Sequence, residues 1–326
     1  MELKHPLKPL KLAVLRGGRS AEREVSLRSG EQVESALRGL GHDVTGVDLD
    51  PNTWDVLRDG GFACVFNALH GRLGEDGAVP GMLELLGLPY TGSGVLASAL
   101  CMDKSRANAV MAGAGLHIPD FEELEATQGI GGELVERLAG RFGLPLVVKP
   151  VREGSTIGIT IAKDTDEVAS GLVLAGRYDT RVMVQRFQAG TEITVGVLAT
   201  PDLQVLPTLE IVSENAVYDY DAKYTAGKSH HIIPARIEER AQATAADAAG
   251  RAFVLLGCAG MARVDIIVDA KNTPWILEVN TVPGLTELSL LPDAARAAGI
   301  PFEEVCRRLV DHAIQRRLHR VGPPSE

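Results

Sequence analysis

Short apolar runs alternate along the chain with longer stretches of helical spacing. Leu12-Ala13-Val14-Leu15 is a continuous apolar run that ends in Gly17-Gly18, and the segment Glu24 to Leu40 places Val25, Val33, Leu37 and Leu40 on one helical stripe. A strand, a tight turn and a helix are predicted. Val44 to Leu49 and Ala63 to Phe66 read as further strands, Pro80 to Leu86 as a helix, and Leu88 to Thr91 as a short extended piece. Alternation of this kind predicts a parallel sheet covered by helices. The glycine-rich Thr91-Gly92-Ser93-Gly94, followed by Asp103-Lys104, marks the end of this first unit, over residues 1–103.

The pattern then changes. Helices are predicted near Lys104 to Gly113, Leu134 to Phe142 and Asp166 to Ala175, with strands at Leu146 to Lys149, Ile159 to Ala162 and Arg181 to Gln185, so residues 104–188 read as a small α+β unit. After Ala189-Gly190 the chain is strand-rich through Thr208, polar and glycine-containing from Ser213 to Ser229, and helical from Glu238 to Leu256. Two strands and a helix near Phe302 to Leu318 complete a third unit, residues 189–326. No internal repeat and no low-complexity tail interrupts this order.

Composition narrows the class. The chain has 326 residues, 45% hydrophobic and 23% charged, which is the balance of a globular chain with room for two or three compact units. Its 33 Lys and Arg against 43 Asp and Glu leave a net charge of −10, a field that opposes general binding to a nucleic-acid backbone. Cys64, Cys101, Cys258 and Cys306 are scattered without a CxxC pair among apolar neighbours, which predicts buried reduced thiols and a cytoplasmic protein. No apolar run reaches the roughly 18 residues of a membrane helix, so no membrane partner is expected.

Candidate chemistry is concentrated late in the chain. Arg263-Val264-Asp265-Ile266-Ile267-Val268 and Trp275-Ile276-Leu277-Glu278-Val279-Asn280 are strand-like runs on either side of a turn-rich Asp269 to Pro274. Side chains alternate along a strand, so Arg263 shares a face with Asp265 and Glu278 with Asn280. A hairpin would set Asp265 opposite Glu278. Two carboxylates and an amide oxygen on one face form a hard oxygen site suited to magnesium beside a phosphorylated nucleotide, and the same residues would also suit a solvated sheet face. The segment Lys149-Pro150-Val151-Arg152-Glu153-Gly154-Ser155-Thr156-Ile157-Gly158 can either wrap a polyphosphate, with Lys149 as its cation, or form an ordinary turn. A GxxxxGK[ST] loop is absent, and Gly17-Gly18-Arg19-Ser20 lacks the GxGxxG spacing of a dinucleotide fold.

Taken in order, these segments resemble the D-alanine:D-alanine ligases of the ATP-grasp superfamily over nearly the whole chain. The resemblance is carried by Gly17-Gly18-Arg19-Ser20-Ala21-Glu22-Arg23-Glu24-Val25-Ser26, Ala68-Leu69-His70-Gly71, Gly74-Glu75-Asp76-Gly77, Tyr90-Thr91-Gly92-Ser93-Gly94 and Met102-Asp103-Lys104. It continues through Lys149-Pro150 with Arg152-Glu153-Gly154-Ser155, Tyr220-Asp221-Ala222-Lys223-Tyr224, Arg263-Val264-Asp265, and Glu278-Val279-Asn280-Thr281 with Pro283-Gly284. What it implies is a three-domain ATP-grasp fold, α/β and α+β in class, with an N-terminal Rossmann-like parallel sheet and two ATP-grasp subdomains. It also implies ATP and two magnesium or manganese ions as cofactors, D-alanine as substrate and a homodimer.

The resemblance further implies residue roles. Lys104 and Lys149 match lysines that contact nucleotide phosphates, Glu192 a ribose-binding carboxylate, and Gln185 stands at the adenine site where many members have Glu. Asp265, Glu278 and Asn280 match the metal ligands, while Arg263 and the backbone at Gly284 match the groups that stabilise the oxyanion. Glu22 matches the carboxylate that holds the first D-alanine ammonium, with His70 nearby and with Ser155 and Tyr224 in its hydroxyl network. Lys223, Ser289 and Leu290 match the pocket for the second D-alanine carboxylate, and Ser213 to Ser229 the loop that closes over it. Leu288 departs from the His of some members. A ligase for D-lactate or another amino acid, and a nucleotide-binding regulator without turnover, are the alternatives; the complete set Arg263, Asp265, Glu278 and Asn280 speaks against the second.

Overall fold

The structure, a computed structural model, describes residues 8–127, 129–154, 156–213 and 229–321. Ser155, Lys223 and Tyr224, and the expected closing loop around the last two, lie outside the described residues.

Three sheets organise the chain. The first is parallel, with β1 (Lys11–Arg16) between β2 (Asp43–Asp48) and β3 (Cys64–Asn67). Its middle strand is apolar at consecutive positions because both faces are covered. Leu12 and Val14 join a core with Val33 and Leu37 of α1 (Arg23–Gly39), whereas Ala13 and Leu15 join Leu57 of α2 (Thr53–Asp59) with Val79 and Leu83 of α3 (Ala78–Leu85) on the other side. α4 (Val95–Met102) and α5 (Lys104–Gly113) follow, and Asp103 between them accepts a hydrogen bond from the Arg106 N–H as an N-cap.

The second sheet has the order β4-β7-β5-β6, built from β4 (Phe121–Glu125), β5 (Leu146–Pro150), β6 (Thr160–Ala162) and β7 (Arg181–Arg186), all antiparallel. Leu146, Val148 and Val184 point into a core with α6 (Gly132–Phe142) and α7 (Thr165–Ala175), so Val147, Lys149 and Gln185 point the other way. β4 carries no apolar alternation, and the sequence pattern did not reveal it. Two of its three glutamates are ion-paired, one on each face: Glu122 with Arg137 and Arg141 of α6, Glu123 with Arg181 of β7. Partners far along the chain therefore satisfy an edge strand that looks like a charged loop in isolation.

The third sheet runs β11-β10-β8-β12-β13, with β9 (Leu203–Val205) also paired to β8. Its strands are β8 (Thr191–Ala199), β10 (Leu209–Ser213), β11 (Ser229–Ile232), β12 (Gly260–Val268) and β13 (Pro274–Asn280). Val264, Ile266 and Val268 bury against α8 (Glu239–Leu255), leaving Arg263, Asp265 and Ile267 on the opposite face. That face and the Val147/Lys149 face of the second sheet line one cavity. After α9 (Leu290–Ala297), the terminal α10 (Phe302–Val321) returns to the first sheet, where Val305, Leu309 and Ala313 enter the core of Leu12, Val14 and Phe66. Among the described residues no helix is long and apolar enough to cross a membrane.

Candidate active site

The N-terminal part of the site is assembled at the ends of β1 and β3. Gly17 and Gly18 adopt positive φ values of 75° and 80°, and a Cβ on Gly17 would lie 2.2 Å from Asp48 Oδ1, so a glycine is required for this approach. The turn delivers Glu22 to the start of α1. Ser20 Oγ donates to the His70 carbonyl at 2.7 Å, and Ser26 Oγ to that of Ala68 at 2.8 Å, which ties this turn to the segment after β3. Glu22 is then held between two glycine backbones. A Cβ on Gly71 would stand 2.8 Å from Glu22 Oε2, and one on Gly154 2.9 Å from the same oxygen.

His70 is buried, with Nδ1 3.0 Å from the Val282 carbonyl and Nε2 3.1 Å from Ser29 Oγ. Glu75 Oε1 lies 3.5 Å from Nδ1 and accepts from the Gly71 N–H at 2.9 Å. Burial works to lower the His70 pKa, but the neighbouring Glu75, the charge of Glu22 and the Val282 carbonyl outweigh it and hold the pKa above its ordinary value. Burial likewise pushes the Glu75 carboxyl up, with the Glu22 charge adding to it.

The β12–β13 pair supplies the rest. Arg263 and Asp265 share a face and form a two-point contact, Nε to Oδ1 at 2.8 Å and Nη2 to Oδ2 at 2.7 Å. Thr194 of β8 donates to Asp265 Oδ1 at 2.7 Å, and Asn280 Nδ2 to Oδ2 at 3.1 Å. Asp265 pairs in register with Glu278, as the hairpin reading requires. Lys104 reaches Glu278 Oε2 at 3.2 Å and the Glu153 carbonyl at 2.5 Å. Lys149 is buried in the same cavity wall. Desolvation brings its pKa down to about 8 against the pull of Glu278, and the like charge of Lys104 adds to the lowering.

Two cavities meet here. A small one of about 50 Å³ is lined by Glu22, His70, Glu75, Arg263, Asn280 and Gly284. A larger one of about 260 Å³ has apolar walls from Val147, Ile161, Phe187, Ile211, Ile267 and Leu277, and carries Lys149, Gln185, Glu192 and Asp265. Lys104, Gly154, Arg263 and Glu278 line both. Gln185 is buried, and its Nε2 has no hydrogen-bond partner among the described residues. Leu290 also borders the larger cavity and packs with Leu209 and Ile211, so only its backbone can offer a polar contact. Ser289 is buried beside Gly284, where a Cβ would come within 2.7 Å of its Oγ, and that Oγ accepts from the Thr286 N–H at 3.0 Å.

The donor set fits a hard divalent cation: carboxylates at Asp265 and Glu278 and an amide at Asn280 on one strand pair. Three cationic side chains, Lys104, Lys149 and Arg263, stand around them. Such an arrangement can neutralise a polyphosphate in the larger cavity directly beside a carboxylate in the smaller one. Sequence reasoning quoted Glu75 and Glu153 within motifs but gave them no role, and it did not single out Thr194. Glu75 had a signal, an acid five residues after His70 across a glycine-rich turn; Thr194 had none, because only sheet pairing brings it to Asp265.

The antiparallel sheets closing on a nucleotide-sized cavity, with a parallel sheet ahead of them, define the ATP-grasp class of ligases. The family models for the N-terminus and C-terminus of D-ala D-ala ligases match residues 55–93 and 110–311. D-alanine–D-alanine ligases from Desulforudis audaxviator and Moorella thermoacetica are 48% and 47% identical, each covering 94% of this chain and 99% and 100% of the relative. The solved D-alanine–D-alanine ligase from Bacillus anthracis complexed with ATP superposes with a TM-score of 0.82 at 29% identity, covering 95% of this chain and 99% of the other. A D-Ala:D-Ser ligase from Enterococcus faecalis superposes at 0.80, also at 29% identity, over 94% and 100%. The chain belongs to the D-alanine–D-alanine ligase family, whose members are ATP-dependent ligases.

Proposed function

We propose that the chain joins two D-alanine molecules into D-alanyl-D-alanine for peptidoglycan, consuming ATP through a D-alanyl phosphate intermediate. The carrying observation is the junction of the two cavities at Lys104, Gly154, Arg263 and Glu278. A carboxylate beside Glu22 and the terminal phosphate of a nucleotide beside Lys149 would meet at that junction. Lys104 and Lys149 would hold phosphate oxygens, and Glu22 would bind the ammonium of the first D-alanine between the backbones of Gly71 and Gly154. Arg263 and the Gly284 N–H, both from residues lining the smaller cavity, would take the negative charge that develops on the carbonyl oxygen when the second amine attacks and phosphate leaves.

Asp265, Glu278 and Asn280 would hold magnesium or manganese, which when bound supplies charge neutralisation to the transferring phosphoryl group. Glu192 would meet the ribose and Gln185 the base. Ser289 and the backbone of Leu290 would serve the second carboxylate, with His70 orienting the first substrate. Roles for Ser155, Lys223 and Tyr224, and a homodimer, belong to this reading through the family resemblance. A cytoplasmic location belongs to it as well.

The test is phosphate release from ATP across a panel of D- and L-amino acids and D-lactate, with products identified by mass spectrometry. Release that requires D-alanine and yields the dipeptide supports the reading. Turnover only with another second substrate, such as D-serine or D-lactate, replaces it, and no turnover with any panel member overturns it.

A further inference from the structure

Cys101, at the end of α4, and Cys258, between α8 and β12, are 157 positions apart, yet their sulfurs lie 3.8 Å from each other. Cys101 is buried and Cys258 is partly exposed. The other two thiols differ: Cys64 is buried in β3, where desolvation pushes its pKa up to about 12, and Cys306 is buried in α10 with its pKa raised for the same reason. We propose that Cys101 and Cys258 are a redox modification site, forming a reversible intramolecular disulfide that a small peroxide installs, that a dithiol removes, and that lowers the ligase activity.

The placement of the pair connects it to the site. Cys101 precedes Lys104 by three residues, and Cys258 precedes Arg263 by five. Lys104 holds Glu278 and Arg263 holds Asp265, so the two thiols sit at the roots of two cationic groups on different elements. A disulfide needs the sulfurs at roughly 2.0 Å, so the present 3.8 Å must close by rotation of the two side chains together with any shift of α4 and the segment ahead of β12 that the bond geometry demands, and it is that shift that would reach Lys104 and Arg263. Misplacing a reacting or positioning group by about 1 Å can cost on the order of a hundredfold in rate.

The order of the chemistry follows from the environments. Cys258 is the more exposed of the two sulfurs, while Cys101 is buried and its contact with Cys258, together with burial, pushes its thiol well up. Cys258, which a small peroxide can reach, is therefore the attacking sulfur. Its thiolate attacks one oxygen of hydrogen peroxide and breaks the O–O bond, giving a sulfenic acid and hydroxide. The Cys101 sulfur then displaces hydroxide from that sulfenic acid, giving the disulfide and, with its proton, water. Two thiols lose two electrons in total, and one peroxide is reduced to two waters.

The test uses the full-length enzyme treated with hydrogen peroxide, followed by non-reducing peptide mapping and by D-alanine-dependent phosphate release. Only the second readout rests on the proposed function; the peptide map does not. The expected result is a linked Cys101–Cys258 peptide that accumulates as activity falls by roughly tenfold or more, with both reversed by dithiothreitol. Cys258→Ser should keep the untreated activity and resist peroxide, and Cys258→Ala gives the same comparison should the serine variant fold poorly. Absence of the linked peptide, its formation with activity unchanged, or equal inactivation of the Cys258 variants would each overturn the proposal.

Discussion

Asp265 faces Glu278 across the β12–β13 ladder at the position where the pairing slips: Asp265 pairs with Glu278, but the next residue, Ile266, pairs with Ile276. Leu277 is the extra residue of a β-bulge, and the bulge resets the alternation of β13. Ile276 and Val279, three apart, are both buried in the core, while the consecutive Leu277 and Glu278 both line the larger cavity. A regular strand would have sent one of them to the opposite face. The slip thus places an apolar wall residue and a candidate metal ligand side by side over one nucleotide-sized space.

Glu278→Gln should keep the fold and lose turnover by at least about a hundredfold, because an amide cannot replace the charge of a ligand carboxylate. Asp265→Asn should behave differently. Asp265 is the shared acceptor for Arg263, Thr194 and Asn280, so neutralising it leaves the half-buried Arg263 without its countercharge. Its melting temperature should fall by several degrees, a loss of about 1–3 kcal/mol. Thermal melts of both variants beside their rates check this, and a stable Asp265→Asn with full activity would refute the arrangement.

Lys149 sets stability against binding. Its charge is disfavoured by burial, so its pKa of about 8 lies below the ordinary 10.5. At pH 7 both folded and unfolded chains carry this proton, and the folded one bears the full desolvation cost. Between about pH 8 and 10.5 the folded state releases the proton first, so the cost is relieved as pH rises. Lys149→Met should therefore raise the melting temperature at pH 7, by an amount that shrinks above pH 8, while raising the KM for ATP at least about tenfold. In the unsubstituted enzyme the KM for ATP should itself rise as pH passes 8. Melts and ATP titrations across pH 6.5 to 10 measure both.

Much of this was legible in the sequence. The βαβ alternation of the first unit and the shared face of Arg263 and Asp265 follow from period alone, and a hairpin over Asp269 to Pro274 from the turn residues; a ladder continued regularly from Ile266–Ile276 would have set Asp265 against Leu277, so its pairing with Glu278 depends on the bulge. Roles for Glu22, Lys104 and Gln185 could be read only through family resemblance, because no local pattern joins residues separated by so much chain. The bulge at Leu277, the charged strand β4, the return of α10 to the first sheet and the approach of Cys101 to Cys258 were hidden for a common reason. Each depends on a partner that folding supplies from a distant segment, and local periodicity carries no information about it.

Gly154→Ala tests the cradle around Glu22. The new methyl would meet Glu22 Oε2 at 2.9 Å, and relief requires the carboxylate to move. The KM for the first D-alanine should rise about tenfold or more while the melting temperature changes little, since Gly154 is not held at positive φ. Separate titrations of the two D-alanine sites and of ATP would locate the defect; an unchanged first-site KM would remove Glu22 from ammonium binding.

The pair His70 and Glu75 predicts a pH signature. His70 keeps its proton to a higher pH than an ordinary histidine because Glu75, with Glu22 and the Val282 carbonyl, outweighs the burial that acts against the charge. A histidine whose folded pKa is raised stabilises the fold fully below the unfolded pKa, and that contribution is lost as pH rises through the folded value. Glu75→Gln removes the closest of these charges and keeps an acceptor for the Gly71 N–H, which Glu75 now serves at 2.9 Å. The His70 titration should then move to lower pH, and the variant should lose stability relative to wild type chiefly on the acid side, where the imidazolium has lost its partner. Proton NMR of the His70 ring across pH 5 to 9 reads the first effect, and urea midpoints at pH 6 and 8.5 read the second. A His70 titration that stays where it was would show that Glu75 does not hold the proton on this ring.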